Sequence, residues 1–268
     1  MTNKTSKQGF TLIELLVVVA IIALLLSIIV PSLRLAKEKA QDISCRSNIR
    51  SLGLALRLYA EKTEGKLFRY NPSTLYLLQL ADEIGNIDDV RLCPSVRADT
   101  QRQWHQGSPV HAWRWPVAGN DEYGAYALNG WLYSYPASYD YSWVESRANI
   151  DQYAYPNLLS TRGPSSVPVF VDSMWPDLWP KHTDTVQAHL DIDYRGYSAD
   201  HHGSDGPVNN HMRRMMINRH RGSVGISFLD GHVSNKGLEY LWSPKWHRQF
   251  IQDHNEKLRS DGSKIFRN

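Results

Sequence analysis

The chain has 268 residues, two cysteines and a formal charge of +3. That length gives room for one sizeable domain or two small ones, and two cysteines exclude a disulfide-dense miniprotein. The charge is too small and too dispersed for nucleic acid to be the main partner. Mean hydropathy is −0.45, so the strongly apolar N-terminus is a local feature on an otherwise water-soluble chain.

The first element is "GFTLIELLVVVAIIALLLSIIVPSL". Phe10 to Val30 spans 21 residues, with Lys4 and Lys7 before it and Glu14 as its one carboxylate. About 20 apolar residues suffice for a helix to cross the hydrocarbon core, and the preceding lysines favour a cytoplasmic N-terminus. A secretory signal would end in a polar region and a small-residue cleavage site. Here the apolar run passes instead through Pro31 into "SLRLAKEKAQDISCRSNIRSLGLALRLYAEK". Leu33, Ala36, Ala40, Ile43, Leu52, Ala55, Leu56 and Tyr59 then recur at helical spacing. The whole predicts one helix over 10–62, roughly 80 Å long at 1.5 Å per residue. A proline at position 31 removes a helical hydrogen bond and is expected to kink it.

Gly9-Phe10-Thr11-Leu12-Ile13-Glu14, with its short basic leader and aliphatic run, resembles the prepilin peptidase site of type IV pilins and type II secretion pseudopilins. The resemblance implies a leader, 1–9, removed by cleavage after Gly9, and N-methylation of Phe10 by the prepilin peptidase/methyltransferase. It also implies an α+β pilin-like fold: a long N-terminal helix packed on a C-terminal antiparallel-sheet head with long loops. Pilin helices commonly carry a proline where Pro31 stands. An ionised carboxylate inside hydrocarbon costs about 3 kcal/mol on insertion scales. The new amino group of Phe10 could pair with Glu14 of the same or a neighbouring subunit, which makes Glu14 the expected assembly residue.

The remainder, 63–268, is expected to form the extracytoplasmic head. "STLYLLQLADEIG" predicts a short helix with Ser73 as N-cap and Gly85 near its end. "VPVFVDS" (167–173) and "VGISFLDGHVSN" (224–235) predict strands, the second a hairpin turning at Asp230-Gly231, where Gly231 supplies a positive φ. The turn-rich stretch 100–165 reads as an ordered insertion. All nine tryptophans lie beyond residue 100. Cys45 on the helix and Cys93 in "VRLCPS" are the expected disulfide, a tie of head to stalk that would contribute about 4 kcal/mol in the chain-entropy model. Two buried thiols or a shared metal are the alternatives.

His220, nine intervening residues, and Asp230-Gly231 resemble the H-X9-DG motif of a group of prepilin-like proteins. "CRSNIRSLGLALRLYAEK", "CPS" and "VFVDS" also look like that group. A structural reading has His220 and Asp230 fastening the hairpin to the preceding loop. A sharper one makes a divalent-metal or acid–base site from Asp172, His220 and Asp230, with His201, His202 and His232 nearby; no HExxH or EF-hand spacing supports it. No cofactor is otherwise expected. There is no G-x-S-x-G and no P-loop, so no enzyme is expected.

The expected role is that of a structural subunit of a type IV pilus-like or type II secretion pseudopilus filament. The chain would cross the bacterial inner membrane once, with its N-terminus cytoplasmic and its head periplasmic, and polymerise through its helices with other pilin or pseudopilin subunits. The alternative is a membrane-anchored head that binds extracellular polysaccharide on tryptophan and tyrosine platforms. A membrane-anchored hydrolase using His220 and Asp230 is a third reading, and it requires those two residues to converge.

Overall fold

The computed structural model describes residues 11–71, 73–98, 107–117, 119–138, 140–142, 144–184, 211–217 and 219–255. The architecture is α+β and pilin-like: a long N-terminal helix, then a head built on a mixed sheet. Helix α1 runs from Leu12 to Lys62, 51 residues, with Pro31 inside a continuous helix. The chain divides into two compact units, 1–40 and 41–268.

In the first unit every residue from 11 to 37 is exposed. Large aliphatics such as Leu12, Ile13, Leu24 and Ile28 are exposed. Of the described helices, only α1 is long and apolar enough to cross a membrane. Because the backbone hydrogen bonds of a helix are satisfied internally, such a segment can lie in hydrocarbon without a partner.

In the second unit, α1 buries Cys45, Ile49, Leu52, Gly53, Ala55, Leu56 and Ala60, a stripe at the i, i+4, i+7 spacing of one helix face. Ile43, expected on that face, is instead 60% exposed. Helix α2 spans Leu75–Ile84 and ends at Gly85. Its N-cap is Thr74, not Ser73, and no side chain caps it. Asn71 does the local work, its Oδ1 accepting from Ser73 N at 2.9 Å.

The strands are β1 (Trp113–Val117), β2 (Asn120–Gly124), β3 (Tyr126–Asn129), β4 (Pro168–Asp172), β5 (Asp177–Leu178), β6 (Ser223–Phe228) and β7 (Val233–Gly237). β1 and β2 form a separate hairpin, and the main sheet has the order β5-β3-β4-β6-β7. Its β3–β4, β4–β6 and β6–β7 pairs are antiparallel, and the two-residue β5 lies parallel to β3. The stretch 100–165 is therefore not an insertion, since its β3 sits inside the sheet. Helix α3 (Arg147–Tyr153), N-capped by Ser146, follows later in the same stretch.

Both faces of the sheet are covered. Tyr126, Leu128 and Phe170 face the side of α1 and α2, in a core with Leu52, Leu56, Tyr76 and Trp131. Ala127, Val171, Val224, Ile226 and Phe228 face the other side, against Met212, Met215, Trp242 and Trp246. The α1-facing positions of β6 are small, Gly225 and Ser227, which lets the helix come close. A Cβ on Gly225 would stand 2.9 Å from Ile49 Cδ1 and 3.3 Å from Asp172 Oδ2.

Candidate functional site: an N-terminal capping box and a buried donor cluster

At the start of α1, Thr11 and Glu14 form a capping box. Thr11 N and Thr11 Oγ1 both donate to Glu14 Oε2, at 2.8 and 2.7 Å, and Glu14 N donates back to Thr11 Oγ1 at 3.3 Å. The Thr-x-x-Glu signature, Thr11 to Glu14, lies within the peptidase motif. Glu14 thus satisfies the Thr11 amide at the helix start, and Thr11 Oγ1 satisfies that of Glu14, whatever else the carboxylate pairs with. Gly9 and Phe10 lie outside the described residues, so the proposed cleavage and methylation positions have no structural description. Pro31 lies four residues after Ser27, whose hydroxyl donates to Leu24 O at 2.6 Å, while Ser32 Oγ donates to Ile28 O at 3.0 Å. These hydroxyls turn inward onto helix carbonyls, which removes polar donors from the apolar surface.

The second site lies in the head. Cys45, Cys93, Asp172 and His220 are all buried, and one donor atom from each lies within 4.8 Å of the others. Both cysteines are free thiols; the expected Cys45–Cys93 bridge is not formed. Each residue is placed by a different element. Cys45 projects from the buried stripe of α1. Cys93 lies on a loop that α1 grips through Gln41 Nε2 to Pro94 O at 3.0 Å and Asn48 Nδ2 to Leu92 O at 2.9 Å. Asp172 ends β4 on the same side as Phe170. His220 precedes β6 in a turn where Arg221 and Gly222 both have positive φ, +56° and +80°; Ser223 Oγ closes that turn onto His220 O at 2.7 Å.

Cys93 Sγ is 3.4 Å from His220 Nε2, and His220 Nε2 is 3.5 Å from Asp172 Oδ2. Cys45 Sγ stands 3.5 and 3.7 Å from the two Asp172 oxygens. Around these four, Tyr126 Oη donates to Cys45 Sγ at 3.3 Å and Gly225 N to Asp172 Oδ2 at 2.8 Å. Arg219 Nη1 lies 3.5 Å from Asp172 Oδ1, with both side chains fully buried. On its far side, His220 Nδ1 faces Asp42 Oδ1 at 3.8 Å, and that oxygen accepts from Asn235 Nδ2 at 2.8 Å.

The electrostatics divide the two thiols. A hydrogen bond from Cys45 pulls Cys93 below the usual thiol range against burial, with His220 and Arg219 adding. Burial pushes Cys45 up well above the thiol range, as do its bond to Cys93 and the charge of Asp172. Burial raises Asp172, Cys93 adds, and His220, Arg219 and the Gly225 amide oppose. Burial alone would lower His220; its contact with Cys93 and the charges of Asp172 and Asp42 outweigh that and raise it. A stabilised thiolate beside an imidazole is a soft donor pair suited to a transition metal.

Asp230 is not part of this group. It sits at the exposed β6–β7 turn, its Oδ1 2.6 Å from His232 Nδ1 and accepting from His232 N at 3.1 Å. Gly231 has φ +90° there, and its N donates to Phe228 O at 2.8 Å. The hairpin is as expected, but Asp230 fastens it through His232 rather than through His220. Of the expected metal candidates Asp172, His220 and Asp230, the first two converge and the third does not. His201 and His202 lie outside the described residues. The two cysteines, expected to bond to each other, supply the other donors. The sequence signal was present: "CRSN", "CPS", "VFVDS" and the H-X9-DG stretch each contribute one residue to the cluster.

The aromatic residues have a structural use. Of the seven tryptophans among the described residues, Trp113, Trp131, Trp179, Trp242 and Trp246 are buried, and Trp115 and Trp175 are half-buried. Trp113, Trp131, Trp242 and Trp246 each donate an indole N–H to a backbone carbonyl, of Tyr126, Pro180, Asp184 and Leu241, at 2.8–3.0 Å. The burial of a polar donor is thereby offset.

Residues 4–30 match the family model described as the prokaryotic N-terminal methylation motif. The chain is similar to the type IV wide pilus major component PilA4 of Thermus thermophilus, 29% identical over 122 residues, covering 46% of this chain and 88% of that protein. It is also similar to the type II secretion system core protein G of Aeromonas hydrophila, 43% identical over 57 residues, covering 21% of this chain and 40% of that protein. No solved structure matches. Its prepilin-type methylation motif and its pilin-like architecture, a long helix leading into a sheet-built head, go with its similarity to a type IV pilin and a type II secretion pseudopilin.

Proposed function

We propose that this chain is a structural subunit of a type IV pilus-like or type II secretion pseudopilus filament. In this reading prepilin peptidase cuts after Gly9 and Phe10 is N-methylated. The apolar half of α1 holds the chain in the inner membrane, with the head periplasmic, until the helices pack together in a filament. One observation carries the proposal: a methylation motif over residues 4–30 leads directly into a helix whose apolar residues are all exposed as far as position 37. An uncovered aliphatic surface of this extent requires lipid or other helices around it. No catalytic step is needed for such a role.

Co-expression of the full chain with a prepilin peptidase tests it. The expected product has lost residues 1–9, gained one methyl group at its new N-terminus, and enters a sheared filament fraction. An uncut chain in the presence of active peptidase would defeat the proposal. The polysaccharide-binding alternative needs exposed aromatic platforms, and no described tryptophan provides one.

A further inference from the structure

We propose that Cys45, Cys93, Asp172 and His220 form a tetrahedral structural zinc site inside the head. The distances carry the assignment. Ligands 2.0–2.3 Å from a zinc ion stand roughly 3.3–3.8 Å from one another in a tetrahedron. The Cys93 Sγ–His220 Nε2 contact of 3.4 Å, the His220 Nε2–Asp172 Oδ2 contact of 3.5 Å and the Cys45 Sγ contact of 3.7 Å to the same Asp172 oxygen are edges of that size. A direct imidazolium–carboxylate pair would close to about 2.7–2.9 Å. At 3.5 Å, His220 and Asp172 do not make a hydrogen bond, although both side chains are buried. A central ion accounts for that spacing.

The donor chemistry selects the metal. Two sulfurs, one imidazole and one carboxylate are too soft a set for calcium or magnesium, which take oxygen. Four protein donors in a buried place leave no open coordination position, as in structural sites. The supporting contacts have the form expected around a metal. Asp42 stands behind Nδ1 of His220, leaving Nε2 for the ion. Gly225 N fixes the Asp172 carboxylate, and Tyr126 Oη fixes Cys45. Two thiolates and a carboxylate against Zn²⁺ leave one negative charge, which the buried Arg219 guanidinium neutralises. The ion would join α1, the Cys93 loop, β4 and the turn before β6 at one point. The site stands whether or not the chain assembles into filaments.

The test uses the full chain purified in detergent, without chelator and with cysteines kept reduced. One zinc per chain is expected by elemental analysis. Replacement with Co²⁺ is expected to give the visible bands and thiolate-to-metal absorption of a tetrahedral cysteine-ligated ion. Cys93→Ser and His220→Gln should each lower retained zinc at least tenfold. The cobalt spectrum of the unaltered chain needs no variant, so the test survives a misfolded substitution. Absence of retained zinc together with absence of cobalt–thiolate bands overturns the proposal. So does metal bound without thiolate absorption, or a Cys45–Cys93 disulfide, two hydrogens lighter in intact mass, in protein taken directly from membranes.

Discussion

Glu14 accepts two hydrogen bonds from Thr11 in the first turn of α1, so it has a local use besides any pairing with the processed N-terminus. The two uses can be separated by charge. Glu14→Gln keeps an acceptor for Thr11 but has no charge to offer an ammonium group, whereas Glu14→Ala loses both. If the charge pair directs assembly, both variants should insert into the membrane and both should fall at least tenfold in the filament fraction. Normal incorporation of Glu14→Gln, with loss confined to Glu14→Ala, would assign the residue to capping alone.

His247 is a second residue with a measurable signature. It is fully buried and stacked on Tyr153 at 4.2 Å, and neither ring nitrogen has a hydrogen-bond partner among the described residues. Burial lowers it to about 3, and His182, Lys181 and Lys245 add to the effect. The unfolded imidazole titrates near 6.5. Below that pH the unfolded chain takes up a proton that the folded head refuses, so stability present above pH 6.5 is lost as pH falls toward 3. Between pH 7 and pH 5 the loss is about 2 kcal/mol. His247→Phe should therefore gain about that much relative to the native chain when urea unfolding is compared at the two pH values. Burial of Asp177 and Asp184, raised to about 7 and about 6, acts in the opposite sense, but both proteins share it. A pH-independent difference would mean that the imidazole is not held neutral.

At the scale of elements, α1 presents two faces in the head. Its buried stripe packs on the sheet, while Ile43, Leu54 and Leu58 are exposed, at 60%, 56% and 44%. At 100° per residue these three lie within about 60° of one another around the helix, an apolar strip on the outward side. If helices pack together in a filament, this strip is a contact surface. Leu54→Asp should change head stability by no more than about 0.5 kcal/mol yet reduce pelleting with filaments several-fold. Unchanged pelleting would leave the strip without that role. The sequence made α1 legible because its apolar run is continuous and its later spacing helical. It did not reveal which side of the helix is covered: Ile43 fits the same periodicity as Leu52 and Leu56. β4 and the β6–β7 hairpin were legible from β-branched runs and an Asp-Gly turn. β3 was not, because "YALN" is four residues long and buried throughout, so it shows no alternation.

For the whole molecule, the legible parts were those specified locally. The N-terminal motif is contiguous and could be interpreted directly. The donor cluster draws on four segments, from position 45 to position 220, and no local pattern states that a loop cysteine and a strand aspartate will meet on the face of a helix. The sheet order places them together: β4 lies at the centre, so its Asp172 falls under α1, and β6 beside it brings the preceding His220. The small residues of β6 mattered for the same reason. Gly225 and Ser227 look like weak points of a strand until a helix lies against them.

The placement of the tryptophans has a spectroscopic consequence. None lies on α1, and those described are buried or half-buried in the head, four with the indole N–H held by a backbone carbonyl. Emission excited in the indoles therefore follows head packing, in a detergent micelle or an assembled fibre alike, and the exposed apolar half of α1 contributes no indole to it. The protein carries its own label for separating loss of assembly from loss of fold.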